Sequence, residues 1–539
     1  MTSRSKSGCI TCRIRRVKCD ETRPACQKCQ SSKRTCDGYL SDENAMSRRK
    51  LAEAVRHLSV VGPVSHALTK SPSSSNPLSR PISPNDTTFF DLFRRATIPG
   101  TCNIFPSSIW DQNVMQLSHG ETAIWHAAVA LGALHQRESV GLGGPEDSQL
   151  ARRAEAHYCR AMALASELDS STKVVTLSIL LISAASMLAR FSDMQTHIIS
   201  SLRIITQDAA RTPGLDALRG SLMRIDVQAM TFSDSSSPYP YDKSADVSTV
   251  DTLLNTPFPR DLSYDTLSSE MFAIARGFFL LDDTLLAGTV PHGPWLTKLD
   301  ALIRRLVVWE NRVAAWEIGH QPTHSQMTTK ICIRLFHVTM RTVIHATSFG
   351  PESRYDPYLG NFEYSVFEYS VRLAATLVDR IRGGSSMSLS LEPGLIIPLW
   401  MVVHRCRHWG LRRAALDILA TAKRVEGMWR SDATGKILAA VVAVEEESLP
   451  QPVVGTPYKP PLLGISSLTI PWSAWAKPGF IVPSSLSWDD GPVVPDKKRV
   501  KEILGMARLS DRLVDLSLMM SAENDEDPYG PMRPVRVTL

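Results

Sequence analysis

The sequence predicts two unlike parts: a small N-terminal module whose interior is made by cysteines, and a large all-α body behind it. Three observations predict this. Six of the ten cysteines fall between positions 9 and 36 in a duplicated spacing. The whole basic excess lies in the first forty residues. From Thr88 to about Arg430, apolar residues recur every three to four positions. At 539 residues the chain is too long for one compact core, and its composition, 43% hydrophobic and 21% charged, is that of a globular protein.

The module comes first. Its cysteines are Cys9, Cys12, Cys19, Cys26, Cys29 and Cys36. Two residues separate Cys9 from Cys12 and six separate Cys12 from Cys19; after six more, the same arrangement repeats with a period of 17. Met1 to Gly8 is polar and lacks an apolar h-region, so a reducing compartment is expected, where clustered thiols hold metal rather than form disulfides. Zinc takes four tetrahedral ligands. Six thiolates serve two zinc ions if two of them bridge, and the symmetry of the repeat suggests Cys9 and Cys26. Between residues 9 and 36 the large aliphatics are Ile10, Ile14 and Val17 alone. The metal therefore has to be the core, and structural zinc contributes on the order of 10 kcal/mol or more to folding.

Charge gives the module a partner. Residues 1–40 hold ten Lys and Arg against three acids, a net +7, while the chain totals +6, so the remaining 499 residues carry −1. A cationic patch this local suits a polyanion such as double-stranded DNA. Read as a helix turn, 13–18 sets Ile14 and Val17 toward the metal and leaves Arg15, Arg16 and Lys18 outside. Arg and Lys are the side chains that reach guanine O6 and N7 in the major groove. Arg13, Lys28, Lys33 and Arg34 are better placed for phosphates. Pro24 fixes the turn that joins the two halves.

Residues 41–61 read as a short helix with Leu51, Val55 and Leu58 on one side, a stripe through which a homodimer could form but which covers barely two heptads. Residues 62–86 are a Pro/Ser-rich linker expected to be disordered. The regulatory domain is expected over 88–450. Its helices are expected near 121–136, 151–168, 173–190, 197–206, 220–232, 265–287, 298–317, 326–347, 362–382, 394–408 and 410–429. The run Val174 to Ala189 is apolar but only 16 residues long, which makes it a buried core helix rather than a membrane span. Residues 451–539 are expected as an irregular Pro/Trp-rich segment, a final helix near 497–520 and a tail.

The run GCITCRIRRVKCDETRPACQKCQSSKRTC resembles the fungal zinc binuclear-cluster transcription factors. The resemblance implies one zinc on Cys9, Cys12, Cys19 and Cys26 and the other on Cys9, Cys26, Cys29 and Cys36. It also implies that CGG-type triplets are read by the basic residues ending the first helix, here Arg15 and Arg16 with Lys18 nearby. The body is similar to the helical fungal-specific transcription factor domain in WDQNVMQLSHGETAIWHAAVALGALH (110–135), RIDVQAMTF (224–232) and GLIIPLWMVVHRCRHWGLRRAALDIL (394–419).

Other candidates are weaker. His404 and His408 share a helix face in this reading, but Cys406 points away and no carboxylate ligand is near. His119, His126 and His135 fall near one helix and read as satisfied histidines. Lys497, Lys498, Arg499 and Lys501 form a basic cluster that reads equally as an import signal or as a solvated helix start. No GxxxxGK[ST], GxGxxG or GxSxG occurs, so no enzyme is expected.

The combined reading is a small zinc-stabilised N-terminal DNA-binding module plus a large all-α helical regulatory domain. It describes a nuclear regulator of RNA polymerase II promoters, with two zinc ions per chain, a small-molecule effector or co-regulator on the body, and no membrane. Its rival is an interaction or sensor protein whose cluster no longer binds specific DNA.

Overall fold

The structure is a computed structural model. It describes residues 19–22, 26–32, 83–107, 109–140, 144–208, 214–232, 237–245, 250–286, 291–347, 361–381, 387–406, 408–447, 449, 458–464, 470–476, 480, 482–484, 486, 494–508, 513–521 and 531–539. The chain divides into two compact units, Met1–Ser79 and Arg80–Leu539. The expected 41–61 helix and the linker up to residue 82 lie outside the described residues.

The second unit is mostly helical. Its longer helices are α1 (Pro84–Leu92), α2 (Thr122–Val140), α3 (Pro145–Ala163), α4 (Ser171–Met187), α5 (Phe191–Asp208), α6 (Leu215–Thr231) and α7 (Tyr264–Leu286). They continue with α8 (His292–Gly319), α9 (His324–Thr347), α10 (Asn361–Ile381), α11 (Ile396–Arg405), α12 (Trp409–Thr421) and α13 (Ser431–Glu446). Successive helices pack on one another, as in α2 with α3, α4 with α5, α9 with α10 and α12 with α13.

Helices α2 and α4 are the interior of the N-terminal half. In α2, 13 of 19 residues are buried, and small side chains such as Ala127, Ala128, Gly132 and Ala133 let neighbours approach closely. A Cβ on Gly132 would sit 1.9 Å from the carbonyl oxygen of Phe89 in α1. In α4, 12 of 17 residues are buried, as the apolar run predicts, and Ser170 caps its N-terminus by accepting from the Lys173 N–H. No described helix is long and apolar enough to cross a membrane.

Buried ion pairs tie the middle helices. Arg224 of α6 meets Glu392 at 2.5 Å, and Trp110 Nε1 and the Ser221 hydroxyl donate to the same carboxylate at 2.9 and 2.6 Å. Arg276 of α7 pairs with Asp226 of α6 at 2.6 Å. Glu310 of α8 accepts from His337 and Arg341 of α9, each at 2.6 Å. Two such charges are worth burying only when both are paired.

The structure corrects the sequence reading in several places. The body starts inside the expected linker: Ser83 and Asp86 form a capping box that begins α1 at Pro84. The expected 394–408 helix ends at Arg405, and the 410–429 helix ends at Thr421. Beyond Thr421 the chain enters strand β2 (Arg424–Glu426), parallel to β1 (Ser388–Ser390) and antiparallel to β3 (Trp429–Arg430), with Gly427 supplying the positive φ at the turn. Glu426 at the end of β2 accepts from the N–H groups of Gly394, Leu395 and Ile396, and so caps α11 from about thirty residues away.

The largest correction is at the C-terminus. In place of a helix at 497–520 there are two strands, β4 (Val500–Arg508) and β5 (Leu513–Met520), joined by β6 (Met532–Thr538) in an antiparallel sheet. Val514, Leu516 and Leu518 are buried at every second position and pack with Val441 of α13. The period is therefore two, and β-sheet pairing decides it. The Pro/Trp-rich stretch also packs into the helical unit. Trp472 is buried, Arg334 lies 3.8 Å from its ring centroid, and its indole donates to Glu317.

Candidate zinc cluster and nucleic-acid interface

Cys19, Cys26 and Cys29 are the cysteines of the cluster among the described residues; Cys9, Cys12 and Cys36 lie outside them. All three are buried, whereas Asp20, Glu21, Thr22, Gln27 and Lys28 around them are exposed. The thiols form the interior of this piece.

The local chain explains how they are held. Cys26 is the N-cap of a one-turn helix, Gln27–Ser31, and its Sγ accepts from the Cys29 N–H at 3.3 Å. Cys19 Sγ accepts from the Glu21 N–H at 3.4 Å, across a backbone turn in which Glu21 adopts a φ of 61°. The Cys19 and Cys26 sulfurs thus each face a backbone N–H donor.

Asp20 closes the loop between the two halves. Its carboxylate accepts from the Thr22 hydroxyl at 2.7 Å and from the backbone N–H groups of Thr22, Gln27 and Lys28 at 3.1, 3.1 and 2.7 Å. The Thr22 hydroxyl bond, with the backbone donors, holds its pKa down at about 2. The sequence reading counted Asp20 only as a charge. An Asp two residues before a Thr, in the loop ahead of a short helix, was the available signal for a turn-and-cap.

One ligand atom each from Cys19, Asp20 and Cys26 lies within 4.8 Å of the others. Two thiolates on one tetrahedral zinc stand about 3.8 Å apart when Zn–S is about 2.3 Å. Cys19 and Cys26 therefore fit a shared ion. Asp20, whose oxygens already take four donors, fits the role of a tether beside it.

Residues 7–44 match the family model of the fungal Zn(2)-Cys(6) binuclear cluster domain. The chain carries a two-zinc, six-cysteine domain at its N-terminus. The "Transcription regulator lscL" of Purpureocillium lilacinum is 31% identical over 226 residues, covering 38% of this chain and 50% of that protein. The "Aspercryptin biosynthesis cluster-specific transcription regulator atnN" of Emericella nidulans is 75% identical over 36 residues, 7% of this chain and 6% of its own. The "Pestheic acid cluster transcriptional regulator 3" of Pestalotiopsis fici is 26% identical over 194 residues, 25% of this chain and 34% of its own. The chain thus spans half or less of the length of these relatives. No solved structure matches it.

Of the basic residues expected to meet DNA, Lys28 is described, and it is exposed on the Gln27–Ser31 helix. Arg13, Arg15, Arg16, Lys18, Lys33 and Arg34 lie outside the described residues.

The other candidates resolve into packing. His404 and His408 do not share a helix face, because α11 ends between them; His408 caps α12, its Nδ1 accepting from the Leu411 N–H. Burial pushes the His404 pKa well below its ordinary value. His135 bonds the Thr97 hydroxyl and His126 bonds His157. The basic cluster at 497–501 starts only a single 3-10 turn, Asp496–Lys498, before β4, and it is not wholly solvated: Arg499 is buried and donates to the carbonyls of His404 and Arg405.

Proposed function

We propose that this protein is a nuclear, sequence-specific DNA-binding regulator of transcription acting at RNA polymerase II promoters. The observation that carries the reading is the domain match at 7–44, within which three thiols are buried and Lys28 beside them is exposed. The names of the relatives, all transcription regulators, support it. In this reading Cys9, Cys12, Cys19 and Cys26 hold one zinc. Cys9, Cys26, Cys29 and Cys36 hold the other.

Arg15, Arg16 and Lys18 read CGG-like triplets in the major groove, and Arg13, Lys28, Lys33 and Arg34 take phosphates. The helical unit is the regulatory part, a fungal-specific transcription factor domain, on which a small-molecule effector or co-regulator acts. The residue 41–61 stripe serves a homodimer.

A protein-binding microarray with the full chain tests the reading, and two variants refine it. Arg16→Ala should cost roughly 1–3 kcal/mol on the preferred site and relax its preference. Lys33→Ala should weaken all sequences alike and lower the salt slope by about one unit. A wild-type chain that binds every probe equally would overturn specific recognition. An Arg16→Ala chain that keeps full discrimination would remove Arg16 from base reading.

A further inference from the structure

Helices α6, α7, α8, α9, α10 and α11, with Trp429 of β3, line a partly open cavity of about 360 Å³. That is within the range of small-molecule sites, roughly 300–1,000 Å³, and far above the voids a packed interior leaves by chance. Its walls are aromatic faces, among them Phe278, Phe279, Trp295, Trp400 and Trp429. Met340 and Met401 add thioethers that adjust to an occupant's shape.

Four polar side chains of the wall are committed to the protein itself. The hydroxyls of Thr231, Thr339 and Thr342 donate to the carbonyls of Gln228, Leu335 and Val338 in their own helices. The Trp295 indole donates to the Leu281 carbonyl at 3.1 Å. The charged lining residues, Asp282 and Arg405, are of opposite sign and give the cavity no net charge. Trp429 is different. It is 9% exposed, and among the described residues its Nε1–H has no acceptor. A buried donor without a partner is costly and uncommon in native proteins.

We propose that this cavity is a binding site for an uncharged, aromatic small molecule of about two fused rings that carries a hydrogen-bond acceptor, which the Trp429 N–H meets. As an effector site it rests on the reading above that the helical unit is regulatory; as a binding site it does not. The aromatic walls select the flat apolar body, and the buried, unpartnered Trp429 donor selects an acceptor on it.

The test uses the full chain without DNA, so its failure is distinguishable from a failure of DNA recognition. The probe is 2-acetylnaphthalene, titrated by calorimetry beside 2-isopropenylnaphthalene, which has the same shape and no oxygen. The wild type should bind one ketone per chain, at least five-fold tighter than the alkene. Trp429→Phe should bring that ratio close to one. Ala275→Phe, which fills the cavity from α7, should weaken both at least ten-fold. A naphthyl diazirine on the wild type should label residues within 227–231, 271–282, 336–344 or 397–405. That measurement decides the location even if the filled variant does not fold. No saturable binding, a ketone preference that survives Trp429→Phe, undiminished binding by a folded Ala275→Phe, or labels outside those stretches and the other lining residues Trp295, Leu299, Phe367 and Trp429 would overturn the proposal.

Discussion

The two units solve the same problem, making an interior, with opposite chemistry. In the zinc module three cysteines are buried while their neighbours are exposed, and the stretch 9–36 has three large aliphatics. In the helical unit α2 and α4 are buried along most of their length, and charges such as Arg224 and Arg276 enter the interior paired with Glu392 and Asp226. The difference teaches what each part can lose. A metal core is concentrated in a few bonds and fails as a whole. An apolar core is spread over hundreds of contacts and fails by increments.

The largest effect should come from the bridging positions. Cys26→Ser removes a ligand from both ions and should abolish zinc binding and the module's fold. Cys36→Ser removes a ligand from one ion and should leave partial occupancy. Native mass spectrometry of the two variants reads this directly. Equal loss from both would break the bridging assignment.

Within the helical unit the analogous weak point is a buried charge. Glu392→Ala takes from the fully buried Arg224 guanidinium its nearer carboxylate, leaving Asp265 at 3.4 Å, and also strips Trp110 and Ser221 of their acceptor. The expected loss is about 3–5 kcal/mol by urea unfolding. Removing the acid of an exposed pair, Asp300 beside Arg304, should cost under about 1 kcal/mol. Similar costs at both sites would erase the contrast between buried and exposed charge.

The smallest effect concerns pH. Burial raises the Glu270 pKa to about 7, with Arg312 and Arg305 opposing the shift. The folded state therefore keeps a proton that the unfolded chain releases near its ordinary value of 4.5. This contribution is full below pH 4.5 and is lost as pH rises to 7. Glu270→Gln should flatten the stability profile across that window, by about 1–2 kcal/mol after solvent screening. An unchanged slope from pH 4.5 to 7 would show that Glu270 is ionised throughout.

Legibility in the sequence divides along the same line. Coordination chemistry acts at short range, so the spacing of Cys19, Cys26 and Cys29 already marks them as a metal-binding set, and the three are found buried. Helix α7 was legible because a 3.6-residue period is written locally, and α4 because its apolar run is. Features set by distant partners were not. The strands β4 and β5 depend on each other and on Val441 of α13. The α11 cap is a glutamate thirty residues downstream, and Arg499 reads as one cation in a solvated run until its carbonyl partners in α11 are known. Asp20 lies between these cases, since its partners are near but its role is set by a loop rather than by a period.

Chelation of the full chain, followed simultaneously by far-ultraviolet circular dichroism and by DNA binding, tests the central claim most directly. Removing zinc should abolish sequence-specific DNA binding while leaving most of the helical signal and its thermal midpoint unchanged, and adding zinc back should restore binding. Specific DNA binding that persists in the metal-free chain, or a helical unit that melts with the metal, would contradict the account.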